Sequence, residues 1–435
     1  MATYHEMTNE ELLKEFAEVQ AKYSRMKDAG LKLDMSRGKP SSKQVDLSEG
    51  MLSVIQTNDD CFASDGTDCR NYGVLKGIPE ARKLMGDIMG VPADNVVVCG
   101  NSSLAIMYDM IAHSWIDGVC GHKPWSKLDK VKFLCPVPGY DRHFAITEHF
   151  GVEMITIPMN DEGPDMDLVE KYVNNDPAVK GIWCVPKYSN PSGITYSVAT
   201  VRRFAALEPA AADFRIFWDN AYCLHDLTDD LEEGDDLMDI LSACKEAGHP
   251  DMVYLFASTS KISFAGGGIA AIASSETNIN NFLSMLKYKI ISYDKMNMLR
   301  HVRYFKNLDG VRRQMKKHAE IMRANFNLVD SVLKKGLDGT GTGTWNLPRG
   351  GYFISFNSLP GCAREIVSKA KEAGLILTEA GATFPYHHDP EDSNIRIAPS
   401  VPMYEDLKKA VKLFTICVKL VSIDKILDER KNAEK

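Results

Sequence analysis

Residues 253–269 read VYLFASTSKISFAGGGI. Val253 to Phe256 is an apolar run of strand type, and Ser258-Thr259-Ser260 is a polar turn. A single cation, Lys261, then precedes Phe264 and the glycines Gly266 to Gly268. A lysine delivered by a strand end into apolar surroundings loses solvent. Desolvation disfavours its charged form and makes the amine a usable nucleophile. A surface lysine at a loop entrance is the competing reading, and this stretch by itself favours it. The rest of the chain decides between them.

Upstream, one pattern repeats: a strand-type run followed by a polar group. Val96 to Val98 breaks at Cys99-Gly100-Asn101-Ser102-Ser103 and leads into a helix from Leu104 to His113. That layout sets N–H groups and hydroxyls around a phosphate at a helix N-terminus, although Ser and Asn are equally ordinary N-caps. It is not a P-loop, because GxxxxGK[ST] is absent. Val131 to Cys135 ends at Pro136-Val-Pro-Gly139-Tyr140, an aromatic open either to stacking on a planar ligand or to closing the core. Gly181 to Pro186 leads to Asn190-Pro191-Ser-Gly193, a turn by its chemistry. Phe214 to Trp218 ends in Asp219-Asn220-Ala221-Tyr222. The spacings leave room for crossover helices, so the region from about Val96 to Ser274 predicts an α/β fold with a mostly parallel sheet covered on both faces. Such sheets bind ligands beyond the carboxyl ends of their strands. Ser102, Tyr140, Asn190, Asp219, Ser258 and Lys261 all fall there. One polar residue after a strand is a turn; six on one rim are a site.

The flanks leave this pattern. Thr8 and Glu11 form a capping box for a helix carrying Leu12, Leu13, Phe16, Val19 and Tyr23 and ending near Gly30. Arg37-Gly38-Lys39 places two cations around a glycine, as a solvated turn or as an anion contact. Val311 to Leu333 predicts a long helix. Strands follow near 350–356, 375–377 and 394–398, then a last helix from Tyr404 to Leu420 and a charged tail, LDERKNAEK, expected to fray. The expected division is an N-terminal arm (1–50) packing with a small α+β domain (308–435), and a large domain between them (51–307). The basic segment from Lys287 to Arg303, including Lys295, reads as a solvated helix face or as a source of a cation for a substrate carboxylate.

Composition excludes several classes. With 435 residues, 44% hydrophobic and 25% charged, the chain has material for a large buried core. A formal net charge of −8 argues against wholesale nucleic-acid or acidic-membrane binding. The 10 cysteines form no CxxC pair, so no zinc ribbon or redox dithiol is expected, and they read as reduced thiols of a cytoplasmic protein. No metal site is expected. The start, MATYHEMTNEELLKEF, is acidic and amphipathic, unlike a signal peptide, and no apolar run reaches membrane-spanning length.

With Asn190-Pro-Ser-Gly193, Asp219-x-Ala-Tyr222 and Ser258-x-Ser-Lys261 in that order, the chain resembles the fold-type I pyridoxal-phosphate aminotransferases of class I/II over nearly its whole length. Ser36-Arg-Gly-Lys-Pro-Ser41 and Cys135-Pro-Val-Pro-Gly-Tyr140-Asp-Arg-His143 resemble a bacterial MocR-like, alanine–glyoxylate-type branch, also described as an aspartate aminotransferase subgroup. The resemblance implies pyridoxal 5'-phosphate as cofactor. It implies that Lys261 forms the internal aldimine and serves as base for the 1,3-proton shift. By the same resemblance Asp219 partners the pyridinium nitrogen, Asn190 and Tyr222 reach the 3-hydroxyl, and Tyr140 stacks on the ring. Asn101, Ser102, Ser103 and Ser258 hold the phosphate, and Arg396 clamps the substrate α-carboxylate. Gly38 lies close to the substrate, and Tyr72 reaches the phosphate of a neighbouring subunit, which implies a homodimer. Aspartate with 2-oxoglutarate is the implied amino acid and 2-oxo acid pair. A β-lyase or decarboxylase on the same fold, and the effector domain of a MocR-type regulator, are the rival readings. The chain departs from the family at Ile269, where an arginine commonly binds the phosphate; Arg142, Lys287 and Lys295 are the cations open to replacing it.

Overall fold

The strands predicted from apolar runs assemble into one sheet because their alternate residues feed two different cores. In the computed structural model, which describes residues 3–228 and 234–434, Ile216 and Trp218 enter one core while Phe217 enters the other. Ile182 and Trp183 part in the same way. This two-sided burial is what a parallel sheet under helices on both faces requires.

The sheet has eight strands. In spatial order they are Val96–Val98, Ala270–Ala273, Val253–Ser258, Arg215–Asp219, Val179–Cys184, Lys132–Val137, Glu153–Asn160 and Gly163–Pro164. The run from Val253–Ser258 to Glu153–Asn160 is parallel throughout. Ala270–Ala273 is antiparallel to both its neighbours, so Val96–Val98 points the same way as the parallel set. Asp219 pairs with Phe256, which fixes the register of the two strands that lead to Tyr222 and Lys261.

A second core lies under a three-stranded antiparallel sheet of Gly343–Trp345, Ile354–Ser358 and Asn394–Ile397. The arm joins it twice. Leu33–Asp34 pairs in parallel with Leu375–Ile376. The helix Asn9–Asp28, opened by the Thr8–Glu11 capping box, buries Leu12, Val19 and Tyr23, while Leu13 stays exposed. The helix Leu308–Leu337 serves both halves: Val311 and Met315 belong to the core of the large sheet, and Met322, Phe326, Val329 and Leu333 to the second core. Tyr188 sits where the halves meet. A Cβ on Gly350 would stand 2.1 Å from its ring, so only glycine admits it there.

Two expectations are corrected. The charged tail is helical as far as Ala433: the last helix runs Tyr404–Ala433. Ile423 and Ile426 pack with Tyr4 and Leu12, and Arg430 donates to the carbonyls of Tyr4, His5 and Met7. Helix propensity and charge gave no sign of this, because the stabilising partners come from the other end of the chain. The basic segment is solvated at Lys287 to Lys289, but Lys295 and His301 are buried. Lys295 Nζ donates to the carbonyls of Asn71 and Gly73, at 2.6 and 3.0 Å. Among the described residues no helix is long and apolar enough to cross a membrane.

Candidate active site

At the carboxyl rim of the sheet lies a cavity of about 560 Å³. Ser102, Tyr140, Asn190, Asp219, Ser258 and Lys261, the polar residues found at strand ends, all line it. So do Ser103, Tyr222, Gly38 and Arg396, the last from the strand Asn394–Ile397 of the second sheet. Asn101 and Tyr72 do not. The Asn101 side chain turns to the carbonyl of Gly266, at 3.3 Å, and its own carbonyl accepts from Ser260 Oγ at 2.7 Å. Tyr72 projects outward with 76% of its surface exposed.

Lys261 reaches the cavity floor, where its amine lies 5.0 Å from the centre of the Tyr222 ring and 6.0 Å from that of Tyr352. Burial lowers its pKa from the ordinary lysine value, and the Asp219 carboxylate works against that shift. Tyr222 is pushed well above the usual phenol range, first by burial and then by Tyr140 and Asp219. Tyr140 rises to about 12 for the same leading reason. Both phenols therefore carry their protons and can donate.

Asp219 is buried and holds one oxygen in place. His143 Nε2 lies 3.1 Å from Asp219 Oδ2, and the His143 ring stacks on Trp183, 4.5 Å between centres and 11° apart. Trp183 in turn donates to Thr147 Oγ1 at 2.8 Å. The other oxygen, Asp219 Oδ1, has no hydrogen-bond partner among the described residues. A buried carboxylate oxygen without a donor is costly. It fits a ligand that brings a ring N–H to this wall. The residues present therefore suit pyridoxal phosphate.

One end of the cavity is built from short side chains. Ser102 precedes the helix Ser103–Ile116 without making a side-chain capping bond, so its hydroxyl is left for the cavity. Ser258 Oγ accepts from the Ser260 N–H and donates to Ser260 Oγ. Ile269, where the family arginine would stand, is buried in the core of the large sheet. Of the three cations open to replacing it, Lys295 is spent on Asn71 and Gly73 and Lys287 lies on an exposed helix face. Arg142 lines the cavity with Ser102 and Ser103.

The other end of the cavity centres on Arg396. Its guanidinium lies 4.9 Å over the Phe353 ring, and Nε is 3.4 Å from Thr378 Oγ1. Nη1 donates to Asn190 Oδ1 at 3.2 Å and to Asp141 Oδ1 at 2.8 Å. Gly38 is held against the same phenyl ring: a Cβ there would lie 2.2 Å from Phe353 Cζ. Sequence reasoning named Gly38 and Arg396 but missed Phe353, Thr378, Asp141 and His143. Only His143 and Asp141 carried a local signal, as the residues just after Tyr140 in a stretch already singled out.

A lysine just past one strand and an aspartate ending the next, in a mostly parallel sheet and faced by an arginine from a smaller sheet, make the architecture of a fold-type I aminotransferase. The family model described as aspartate amino-transferase matches residues 7–430. A putative aminotransferase of Mycolicibacterium smegmatis is 44% identical over 430 residues, covering 98% of this chain and 100% of that one. An aspartate aminotransferase of Corynebacterium glutamicum is 45% identical over 408 residues, covering 94% and 93%. The crystal structure of an aspartate transaminase from Corynebacterium glutamicum aligns with a TM-score of 0.94 at 43% identity, over 98% of this chain and 99% of that one. The chain belongs to the aspartate aminotransferase family, and the protein is an aminotransferase.

Proposed function

We propose that the protein is a pyridoxal-phosphate-dependent aspartate aminotransferase that moves the amino group of L-aspartate to 2-oxoglutarate. The observation that carries this is the placing of Lys261, Asp219 and Arg396 on one cavity in a chain of this family. Bound there, the cofactor supplies an electron sink for the pair left at the substrate Cα when its proton departs.

The chain's own residues then divide the work. Arg396, steadied by Phe353 and Asn190, holds the α-carboxylate. Lys261 Nζ is the base that takes the proton from Cα, and its lowered pKa makes the neutral amine accessible. Asp219 would keep the cofactor's ring nitrogen protonated, Tyr222 and Asn190 would serve its ring oxygen, and Tyr140 would stack on the ring. Ser102, Ser103, Ser258 and Arg142 would hold its phosphate, while Asn101 serves the turn through its carbonyl, which accepts from Ser260 Oγ. Cavity charge supports a dicarboxylic substrate: Arg37, Lys39, Arg142 and Arg396 line it, and among the described residues Asp141 and Asp219 are its only carboxylates.

The exposed Tyr72, together with exposed Tyr288 and Ile291, supports a homodimer in which Tyr72 reaches the neighbouring site. The separate hydrophobic cores support the division into 1–50, 51–307 and 308–435, with the helix Leu308–Leu337 crossing between the cores. The cysteines, all free thiols, support a cytoplasmic location.

The test is to mix the protein with aspartate and 2-oxoglutarate and follow oxaloacetate and glutamate. Equal yields of both, lost in K261A, are expected. Release of ammonia or carbon dioxide instead would place the chemistry with a lyase or decarboxylase.

A further inference from the structure

The arginine that receives the substrate carboxylate already holds a carboxylate of its own chain. Asp141 Oδ1 sits 2.8 Å from Arg396 Nη1, and the two side chains are 28% and 7% exposed. Nη1 also serves Asn190 Oδ1, while Nη2 has no hydrogen-bond partner among the described residues. A guanidinium takes a carboxylate in two parallel bonds along one edge. The Nε edge is backed by Thr378 at 3.4 Å, and on the Nη1–Nη2 edge Nη1 already donates to Asp141 and Asn190. A substrate bound in two bonds along that second edge has to move Asp141 off Nη1.

We propose that Asp141 is a resident occupant of the Arg396 clamp, displaced by each incoming carboxylate, and so a positioning residue that sets the threshold for ligand binding. This rests on the reading of Arg396 as the carboxylate clamp. While the clamp is empty, the pair keeps the guanidinium over Phe353 and keeps weakly binding anions out. An amine with no carboxylate cannot release the pair, so the site discriminates against it. Release itself is eased by the fold. Asp141 is the first residue of the helix Asp141–His149, where the N-terminal end of the helix dipole favours a negative charge.

The direction of the effect separates this from a structural role. Removing a merely structural ion pair weakens the site; removing a competitor tightens it. The experiment is calorimetric titration of the cofactor-loaded enzyme with succinate, an unreactive dicarboxylate. We expect D141N to lower the Kd about tenfold, and D141E, which keeps the competing charge, to stay within about twofold of wild type. D141S, a good residue for a helix start, gives the same charge removal if the asparagine variant folds poorly. The KM for aspartate should fall with the Kd. Unchanged or weaker succinate binding in both charge-free variants overturns the proposal. The aspartate reading fails separately: wild type then forms no oxaloacetate, whatever the charge-free variants do to succinate binding.

Discussion

The imidazole of His143 stands 3.1 Å from the buried carboxylate of Asp219 and lies nearly parallel to the Trp183 indole. The carboxylate oxygen accepts, so the imidazole Nε2–H donates. That bond fixes one oxygen of Asp219 and leaves the other without a partner among the described residues.

H143A should therefore free Asp219 to rotate and blunt its contact with the cofactor. A hydrogen bond to a charged group is worth about 1.5–3 kcal/mol, so kcat/KM for aspartate should fall about 10- to 100-fold. H143Q should recover part of the loss. The absorption band of the bound cofactor should shift in H143A. No change in either measure would mean that Asp219 is held by its strand alone.

Gly38 bears on the opposite wall. A methyl group at this position meets Phe353 at 2.2–2.9 Å, and Phe353 carries Arg396. G38A should tilt the guanidinium and raise the KM for aspartate about tenfold or more, since small misplacements at a reacting site cost heavily. Combining G38A with F353L should restore part of it, and a purely additive double mutant would disprove the steric route.

Arg142 lines the cavity beside Ser102 and Ser103, unlike Lys287 and Lys295. R142A should weaken retention of pyridoxal phosphate about tenfold in dialysis followed by fluorescence, as loss of a charge-assisted contact. K287A, on the exposed helix face, should leave retention alone. The reverse result would move the phosphate contact to the other cation.

Buried histidines predict the acid response. His301 and His318 are lowered by burial to about 4, and burial lowers His225 well below its usual value. Between pH 4 and 6.5 the unfolded chain binds protons that the folded chain refuses, so stability falls as pH falls through this window. For each of His301 and His318 the full loss is about 3 kcal/mol. Chemical unfolding between pH 5 and 6 should show uptake of extra protons, and H318Q should reduce that uptake by about one. An unchanged slope in H318Q would show that His318 is already charged in the folded protein.

How much was legible in the sequence follows a physical rule. Strand runs, the capping box at Thr8 and the polar groups at strand ends are local, and they were readable from residue order alone. The pairs His143–Asp219, Asp141–Arg396 and Gly38–Phe353 join residues far apart in the chain. Their partners become neighbours only after the sheets form. The buried state of Lys295 and the ordered tail were misread for the same reason, because carbonyls from the segment 71–73 and from the N-terminal arm satisfy them.

The helix Leu308–Leu337, about 45 Å long at 1.5 Å per residue, has its first turns bedded in one core and its later turns in the other. One continuous helix is thus the common bed of both sheets. It passes from one core to the other between Met315 and Met322, so the strand that carries Arg396 and the strands that end at Asp219 and Ser258 are built on a single rigid element.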